Sequence, residues 1–189
     1  LLSSNLIDPT SEKGKQLIAI ATQNSKRLVN LVKDILTLER LNSDRVCLMK
    51  EPVSAQEIIL KAIEQVKILA DKAKVTISVV EGDFEVQADS DRLIQVLINL
   101  LSNAIKFSPP NSTIDLRVEL IAEEKEDFFD IEIPSILFEV RDRGRGIPPD
   151  KLESIFEPFH QVDASDSRDE EGTGLGLSIA RNIVELHGG

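Results

Sequence analysis

The chain has 189 residues, 41% of them hydrophobic, which is enough for one ordinary domain with a buried core plus an additional element. Its formal net charge of -11 argues against non-specific nucleic-acid binding, and its single cysteine, Cys47, excludes an internal disulfide and a cysteine-based zinc site. No apolar run approaches the roughly 20 residues of a membrane helix, and no signal peptide is visible. We therefore expect a cytoplasmic segment, which leaves room for a membrane anchor in a longer protein.

The N-terminal part predicts one long helix, which begins after the Asp8-Pro9 turn and ends near Asn42. Residues along it recur at spacings of four and three, the heptad pattern of a coiled-coil-like helix. This seam could pack on the chain's own core, but the residues that follow offer no equally long partner helix. We therefore expect a homodimer through this helix. The members of the seam are Leu17, Ala21, Asn24, Leu28, Leu31, Ile35 and Leu38.

A boundary at Glu51-Pro52 separates residues 1–50 from a second domain, residues 51–189. That domain opens with a helix that starts at Ser54 and continues to about Lys72. Two alternating stretches follow, 75–80 and 84–88, and the Gly82-Asp83 turn between them suggests a β-hairpin.

The next helix can be capped by a residue of Asp89-Ser90-Asp91, and Ser108-Pro109-Pro110 ends it. On this apolar helix, Asn99, Asn103 and Lys106 lie at i, i+4 and i+7 and share a narrow polar stripe. Amide oxygens suit a hard cation such as Mg²⁺, and a lysine one turn further on suits phosphates. A solvated stripe on an exposed face is the alternative.

Strands are predicted at 113–119, 129–133 and 136–140, with a bulge or a break at Pro134 between the last two. Asp142 ends the last strand, and the glycines at 144 and 146 allow a sharp turn or a close approach to a ligand. A carboxylate in that position could accept a hydrogen bond from an exocyclic amine. A short helix is expected to begin after Ile147 and to end near Phe156.

The segment 161–171 is acidic and poor in apolar residues, which is typical of a solvated loop that could serve as a lid. The glycine-rich segment 172–177 follows and leads into an amphipathic helix at 178–186. Backbone N–H groups at such a helix N-terminus favour phosphate. The segment fits neither the Rossmann spacing nor a Walker motif.

In this order, these motifs resemble the N, G1, F, G2 and G3 boxes of sensor histidine kinases. The resemblance covers the chain from about Val53 to its end, and the heptad helix resembles the second helix of the kinase dimerisation and histidine-phosphotransfer domain. The matching stretches are Asn99 to Ser108, Asp142 to Ile147, Phe156-Glu157-Pro158-Phe159, Gly172 to Leu177 and His187-Gly188-Gly189.

The resemblance implies an α+β fold: a two-layer α/β sandwich with a mixed sheet, the Bergerat ATP-binding fold, preceded by the long helix. It implies ATP and Mg²⁺ as ligands, with Asp142 on the adenine amine, Asn103 on the metal and Lys106 on the phosphates. The implied nucleotide site also includes Asn99, Phe107, Gly144, Gly146, Ile147, Phe159, Gly172, Thr173, Gly174, Leu175, Gly176 and Leu177.

Three departures from the family pattern limit what the resemblance implies. The sequence stops at Gly189, where the family continues into closing strands, so we expect a truncated domain whose sheet lacks an edge or that is less stable. The family's phosphoacceptor histidine lies on the first dimerisation helix, but here no histidine precedes His160, so we expect a fragment that cannot phosphorylate itself. Gln161 stands where some relatives carry a phosphate-contacting arginine. We interpret both histidines, His160 and His187, as packing or lid residues, since neither sits beside a nucleophile.

The resemblance implies phosphoryl transfer from ATP to a histidine, for relay to the receiver domain of a response regulator. The alternatives are an ATP-hydrolysing machine of the gyrase, chaperone or mismatch-repair type and a nucleotide-binding module without catalysis. Position 99 discriminates between the enzymes, because those hydrolases carry a glutamate there as general base and Asn99 cannot act as one.

Overall fold

A computed structural model describes residues 8–41, 47–80, 82, 84–123, 133–160 and 172–189. Two short 3₁₀ turns, Pro149–Lys151 and Ser154–Phe156, precede the last helix. The helices and strands are α1 (Glu12–Leu41), β1 (Glu51–Ser54), α2 (Ala55–Ala73), β2 (Thr76–Val80), β3 (Glu85–Ala88), α3 (Ser90–Phe107), β4 (Thr113–Glu123), β5 (Ile133–Arg141) and α4 (Gly176–His187).

The starts of α2 and α3 confirm the capping residues predicted from the sequence. The Ser54 hydroxyl accepts the N–H of Glu57 at 3.3 Å, and Asp89 Oδ1 accepts the N–H of Arg92 at 3.2 Å. Each bond satisfies one of the backbone donors that a helix leaves unpaired in its first turn. Local sequence therefore fixes where both helices begin.

The predicted hairpin between 75–80 and 84–88 is wrong. In the three-stranded sheet, β2 pairs in parallel with β4, which pairs antiparallel with β5, while β3 pairs antiparallel with β1. The carbonyl oxygen of Phe84 accepts the N–H of Ala55 at 2.8 Å, which ties the start of β3 to the β1–α2 junction. The strand β1 thus lies at the boundary expected at Glu51-Pro52, and β1 is the pairing partner of β3.

Two expectations near the C-terminal half of the sheet also need correction. The ladder of β5 runs through Pro134, which lies opposite Ala122, with one partner for each residue, so the strand neither bulges nor breaks there. Within the described sheet β5 is an edge strand, where proline's missing N–H costs no ladder bond. The single helix expected after Ile147 consists instead of the two 3₁₀ turns. The acidic segment 161–171, expected as a lid, lies outside the described residues.

The main core lies between the mixed sheet and one face of α2 and α3, as the amphipathic pattern of both helices predicts. No helix in the described ranges is both long and apolar enough to cross a membrane. The largest side chains that are fully buried in this core are Ile58, Leu97, Leu101, Ile105, Ile114 and Leu116.

A second apolar cluster joins α1 to α3 and α4. Leu38 and Leu41 are buried in it, and Leu31 packs against it, beside Ile179 and Ile183 of α4. The expectation that the whole seam contacts a second molecule is therefore wrong for Leu31 and Leu38. The partner helix is α4, which lies more than a hundred residues after α1 in the chain and is shorter than the partner that the seam predicts.

Other members of the α1 seam remain at the surface. Leu28 is 62% exposed and Ile35 is 40% exposed, and Val29, Val32 and Leu36 continue the same apolar face. At 100° per residue, this face lies beside the one that packs on α4. The α1 helix therefore has one apolar face covered within the chain and an adjacent one exposed.

One polar contact accompanies this packing. Thr173 Oγ1 donates a hydrogen bond to Asp34 Oδ2 at 2.9 Å and accepts the N–H of Leu175 at 3.2 Å. Thr173 lies in the glycine-rich segment 172–177, so Asp34 connects α1 directly to that segment.

We expect Asp34 and Thr173 to be energetically coupled. A double-mutant cycle of Asp34→Ala and Thr173→Val, measured by urea unfolding with far-UV circular dichroism, should give a coupling energy of about 0.5–1.5 kcal/mol. The matched control pairs Asp34→Ala with Thr22→Val, because the Thr22 hydroxyl bonds only to its own helix at Ile18. That pair should be additive. Additivity for Asp34 and Thr173 as well would contradict the contact.

Candidate nucleotide-binding site

The turn after β5 lies against the end of α3. Asp142 directly follows β5 and is exposed, and its Oδ1 accepts the N–H of Gly144 at 2.7 Å. A Cβ on Gly144 would lie 2.6 Å from the carbonyl oxygen of Phe107, a distance that real side chains do not tolerate. Glycine is thus required at position 144, and its absence of a side chain brings the acidic turn and the last residue of α3 together.

The rim of this turn is open. Gly146 has a φ of +73°, a left-handed conformation that favours glycine, and a Cβ there would meet no atom within 4 Å. Ile147, the residue after Gly146, has a partly exposed apolar side chain, and so does Phe107 at the end of α3. The carboxylate of Asp142 therefore lies in a turn that has one partly exposed apolar side chain in its own sequence, Ile147, and another, Phe107, at the adjacent end of α3.

The polar stripe of α3 faces the glycine-rich segment. Asn99 Nδ2 donates to the carbonyl oxygen of Gly176 at 2.9 Å, and Lys106 Nζ lies 3.5 Å from where a Cβ of Gly172 would be. Asn103 lies between them on the helix and is half-buried. The stripe is thus opposed by protein at both ends, which argues against the alternative of a simply solvated face.

Phe159 is tied to the glycine-rich segment through its backbone. Its N–H donates to the carbonyl oxygen of Gly174 at 2.9 Å, and both residues have a positive φ, +65° and +71°. A Cβ on Gly174 would lie 3.0 Å from Phe159 Cα. The Phe159 side chain is largely exposed, so its described contact with the segment is a backbone one.

The side chain of Leu175 packs in the core. It is fully buried in the cluster shared by α1, α3 and α4, whereas Leu177 is half-buried. Because its side chain is buried, Leu175 contributes to the surface of the glycine-rich segment only through its backbone. With α4 starting at Gly176, the backbone N–H groups of its first turn and the positive end of the helix dipole lie beside the stripe of α3.

Two contacts with these elements were not predicted from the sequence, one made by Asp34 and one by Arg145. Asp34 contacts Thr173, and the guanidinium carbon of Arg145 lies 5.3 Å from the centroid of the Phe107 ring. No sequence signal identified Asp34, which is 139 positions from its partner. For Arg145 a signal existed, because it stands between the two glycines of the turn.

Both histidines are engaged in local packing, in agreement with their interpretation from sequence. His187 Nε2 accepts the N–H of Asp89 at 3.1 Å, and Nδ1 lies 2.8 Å from the carbonyl oxygen of Ile183, to which it can only donate. These partners use both ring nitrogens and assign the neutral Nδ1–H tautomer. His160 Nε2 lies 3.1 Å from the hydroxyl of Ser154.

A separate open cleft lies between the 3₁₀ turns and α4, and it contains none of the residues predicted to bind nucleotide. Arg181 crosses it, 5.8 Å above the Phe156 ring and paired with Glu185 at 2.7 Å. The acidic turn and the glycine-rich segment both contact α3 instead, at Phe107 and at Asn99, and none of their residues lines this cleft.

Comparison with known proteins agrees with the motif resemblance. A family described as "Histidine kinase-, DNA gyrase B-, and HSP90-like ATPase" matches residues 88–189. The circadian input-output histidine kinase CikA of Synechococcus elongatus is 33% identical over 188 residues, which cover 96% of this chain and 23% of CikA. The chain thus spans only about a quarter of that relative's length.

Two solved structures are similar in fold. A mycobacterial sensor histidine kinase, MprB, is 29% identical with a TM-score of 0.60, over 74% of this chain and 81% of that one. Full-length ShkA in complex with AMPPNP is 25% identical with a TM-score of 0.72, over 94% of this chain and 35% of ShkA. The expected α+β fold with a mixed sheet and a long N-terminal helix is confirmed. With more than half of its residues matched, the chain belongs to the family of histidine kinase-, DNA gyrase B- and HSP90-like ATPases, and its relatives are sensor histidine kinases.

Proposed function

We propose that this chain is the ATP-binding catalytic region of a sensor histidine kinase, which transfers the γ-phosphoryl group of ATP to a histidine for relay to a response-regulator receiver domain. The observation that carries the proposal is the position of Lys106 and Asn99, which oppose the two ends of the glycine-rich segment before α4. The complex of ShkA with AMPPNP, an ATP analogue, supports it from a similar fold.

Asp142 is the proposed adenine-binding residue. The Gly144 N–H bond to Oδ1 orients the carboxylate, and an ionised carboxylate retains capacity to accept further hydrogen bonds, here from the exocyclic amine. The partly exposed side chains of Phe107 and Ile147 are suited to contact the apolar faces of the base.

The phosphates are proposed to lie between Lys106 and the N-terminus of α4. Lys106 supplies a point charge, and the backbone N–H groups of 172–177 supply hydrogen-bond donors. Because the Asn99 amide nitrogen is bonded to Gly176, we propose that Asn99 positions this segment for the phosphates.

Asn103 is the proposed Mg²⁺ ligand. Its amide oxygen is a hard donor, and Mg²⁺ usually takes few protein ligands and keeps waters and phosphate oxygens as the others. Within the described residues, the His, Cys, Asp and Glu side chains form no group of three or more that could hold a metal. That fits an ion held by one amide together with the nucleotide's own phosphates.

In the proposed reaction a histidine nitrogen bonds to the γ-phosphorus, the bond from that phosphorus to the bridging oxygen breaks, ADP leaves and the imidazole proton passes to solvent. Neither His160 nor His187 is proposed as the acceptor, because both are engaged in packing contacts. The acceptor would come from another helical segment. Positioning and charge stabilisation account for most of the catalysis in such transfers.

A homodimer through α1 and a cytoplasmic location complete the proposal. The exposed apolar face of α1, with Leu28, Val32 and Ile35, is the type of surface that a second long helix covers. Residues 1–50 would then belong to a dimerisation and phosphotransfer domain and residues 51–189 to the catalytic domain.

Asp142→Asn should weaken binding of a non-hydrolysable ATP analogue by about 1.5–3 kcal/mol, because the charge-assisted hydrogen bond to the adenine amine is lost. Isothermal titration calorimetry measures the change. Asp150→Asn, an exposed acid in the first 3₁₀ turn, is the control and should bind like wild type. Affinity of Asp142→Asn within about twofold of wild type would remove Asp142 from the adenine site.

Leu28→Asp should weaken self-association by at least about tenfold, since each copy would lose a buried leucine worth about 1.5–3 kcal/mol at the interface. Sedimentation equilibrium gives the dissociation constant. Leu60→Asp, which alters an equally exposed leucine on α2, should leave it unchanged. A wild-type chain that stays monomeric at high concentration would refute the dimer.

The chain alone should bind Mg·ATP, hydrolyse it negligibly and not label itself, because Asn99 cannot activate water and the acceptor histidine is supplied by another segment. Adding a separate helical domain that carries an acceptor histidine should restore labelling from γ-labelled ATP, and the label should be acid-labile and base-stable. Asn103→Ala, which removes the proposed metal ligand, is the negative control. Robust steady-state hydrolysis by the chain alone would favour the ATPase alternative, and acid-stable label on serine or threonine would contradict the proposed chemistry.

A further inference from the structure

The carboxylate of Asp34, on α1, reaches the start of α4 through a single side chain. Its Oδ2 accepts the hydroxyl of Thr173 at 2.9 Å, and the same hydroxyl accepts the N–H of Leu175 at 3.2 Å. The carboxylate oxygen therefore lies within about 6 Å of that N–H. Leu175 is the N-cap residue of α4, so α1 brings a negative charge to the positive end of this helix dipole.

Apolar packing holds Asp34 in this position. Leu38, four residues after Asp34, and Leu41 are buried in the cluster that also contains Leu175, and Leu31, three residues before Asp34, packs against that cluster. Side chains three and four residues apart lie on one face of a helix, so the face of α1 that packs on α4 also carries Asp34. The position of the charge thus depends on the packing of α1 on α4.

The charge of Asp34 reaches α4 without being neutralised on the way. The hydroxyl of Thr173 is an uncharged donor, and within the described residues no lysine or arginine forms an ion pair with Asp34. The start of α3 provides a comparison, because Asp89 caps that helix with its own carboxylate, whereas Leu175 makes no side-chain cap bond. At α4 the carboxylate comes from another helix, so its presence there depends on where that helix lies.

The proposed nucleotide site places phosphates at the backbone N–H groups of the same segment, 172–177. One of these donors, the N–H of Leu175, is already bonded to Thr173. The Asp34 carboxylate lies within about 6 Å of this donor, which is less than the Debye length of about 8 Å at physiological salt. Repulsion between the carboxylate and an anion bound there is therefore only partly screened.

We infer that Asp34 is an autoinhibitory residue: while α1 packs on α4, its carboxylate lowers the affinity of the glycine-rich segment for the polyphosphate of the nucleotide. The inference rests on the proposed ATP-binding function and adds a regulation of that same site. The α1 helix also carries the exposed apolar face with Leu28 and Ile35. A second helix that covered this face and drew α1 away from α4 would withdraw the charge and raise the affinity.

A purely positioning role for Asp34 makes the opposite prediction. If the hydrogen bond to Thr173 mattered more than the charge, losing the contact would free the Thr173 side chain and weaken nucleotide binding. Two substitutions separate the effects. In Asp34→Asn the amide oxygen can accept the same hydroxyl without a charge, whereas Asp34→Ala removes both the charge and the bond.

Calorimetric titration of adenosine, ADP and a non-hydrolysable ATP analogue, at low and at high salt, tests the inference. Asp34→Asn should bind the ATP analogue about three- to tenfold more tightly than wild type, ADP with a smaller gain and adenosine within about twofold, because repulsion grows with the charge of the ligand. The gain should shrink at high salt. Asp34→Ala should also bind the analogue more tightly than wild type. Glu39→Gln removes an exposed charge from the same helix and should bind like wild type.

Far-UV circular dichroism confirms that each variant is folded. An affinity of folded Asp34→Asn for the ATP analogue equal to or below that of wild type would overturn the inference and leave the proposed ATP site intact. Weaker binding by Asp34→Ala would also overturn it, because the contact as a whole would then favour the nucleotide. So would an equal gain for adenosine, which carries no phosphate. If neither the wild-type chain nor Asp34→Asn bound adenine nucleotide, the inference and the proposed function would both fail.

Discussion

The rotational setting of α3 determines how the candidate site is built. Leu97, Leu101 and Ile105 are almost fully buried against the sheet, and they repeat at intervals of four residues along one face. Turning the helix by even one residue, 100°, would expose this face at a cost of about 1.5–3 kcal/mol for each buried side chain. Burial of the apolar face therefore fixes the direction of the opposite stripe, Asn99 and Lys106, towards the glycine-rich segment.

That segment is held from three directions. Asn99 of α3 bonds to Gly176, Phe159 bonds to Gly174, and Asp34 of α1 accepts from Thr173. The first two contacts come from the domain that contains the segment, but the third comes from the long helix that also carries the exposed apolar face. A displacement of α1 that breaks the Asp34–Thr173 bond would remove one of these three contacts.

The features predicted most accurately from the sequence are those that depend on neighbouring residues along the chain. Caps at Ser54 and Asp89 and the apolar periods of α2 and α3 placed those helices correctly, because a helix closes its hydrogen bonds within itself. Strand alternation revealed 76–80 and 85–88 but not their partners, since pairing depends on segments distant in sequence. The prediction at Pro134 is wrong for the same reason, because whether a strand tolerates proline depends on whether the strand lies at an edge of the sheet.

The same distinction between local and distant contacts applies to the residues of the candidate site. Motif resemblance pointed to the acidic turn, the α3 stripe and the glycine-rich segment, and the fold brings these three together. Asp34 could not be found because it is recognised only by its distant partner Thr173, and Leu175, included with the nucleotide contacts, has a side chain that serves the core. A motif match does not tell whether a residue acts through its backbone or through its side chain. The packing of the side chain in the structure makes that distinction.

The overall acidity of the chain does not conflict with binding a polyphosphate. A net charge of -11 acts over the whole surface, and salt screens exposed charges beyond about 8–10 Å. Lys106 lies on the last turn of α3, and the positive end of α4 begins at Gly176, whose carbonyl oxygen is bonded to Asn99 of the same α3 stripe. Local positive groups can therefore attract an anion although the net charge of the chain is negative, while that net charge discourages non-specific contact with nucleic acid.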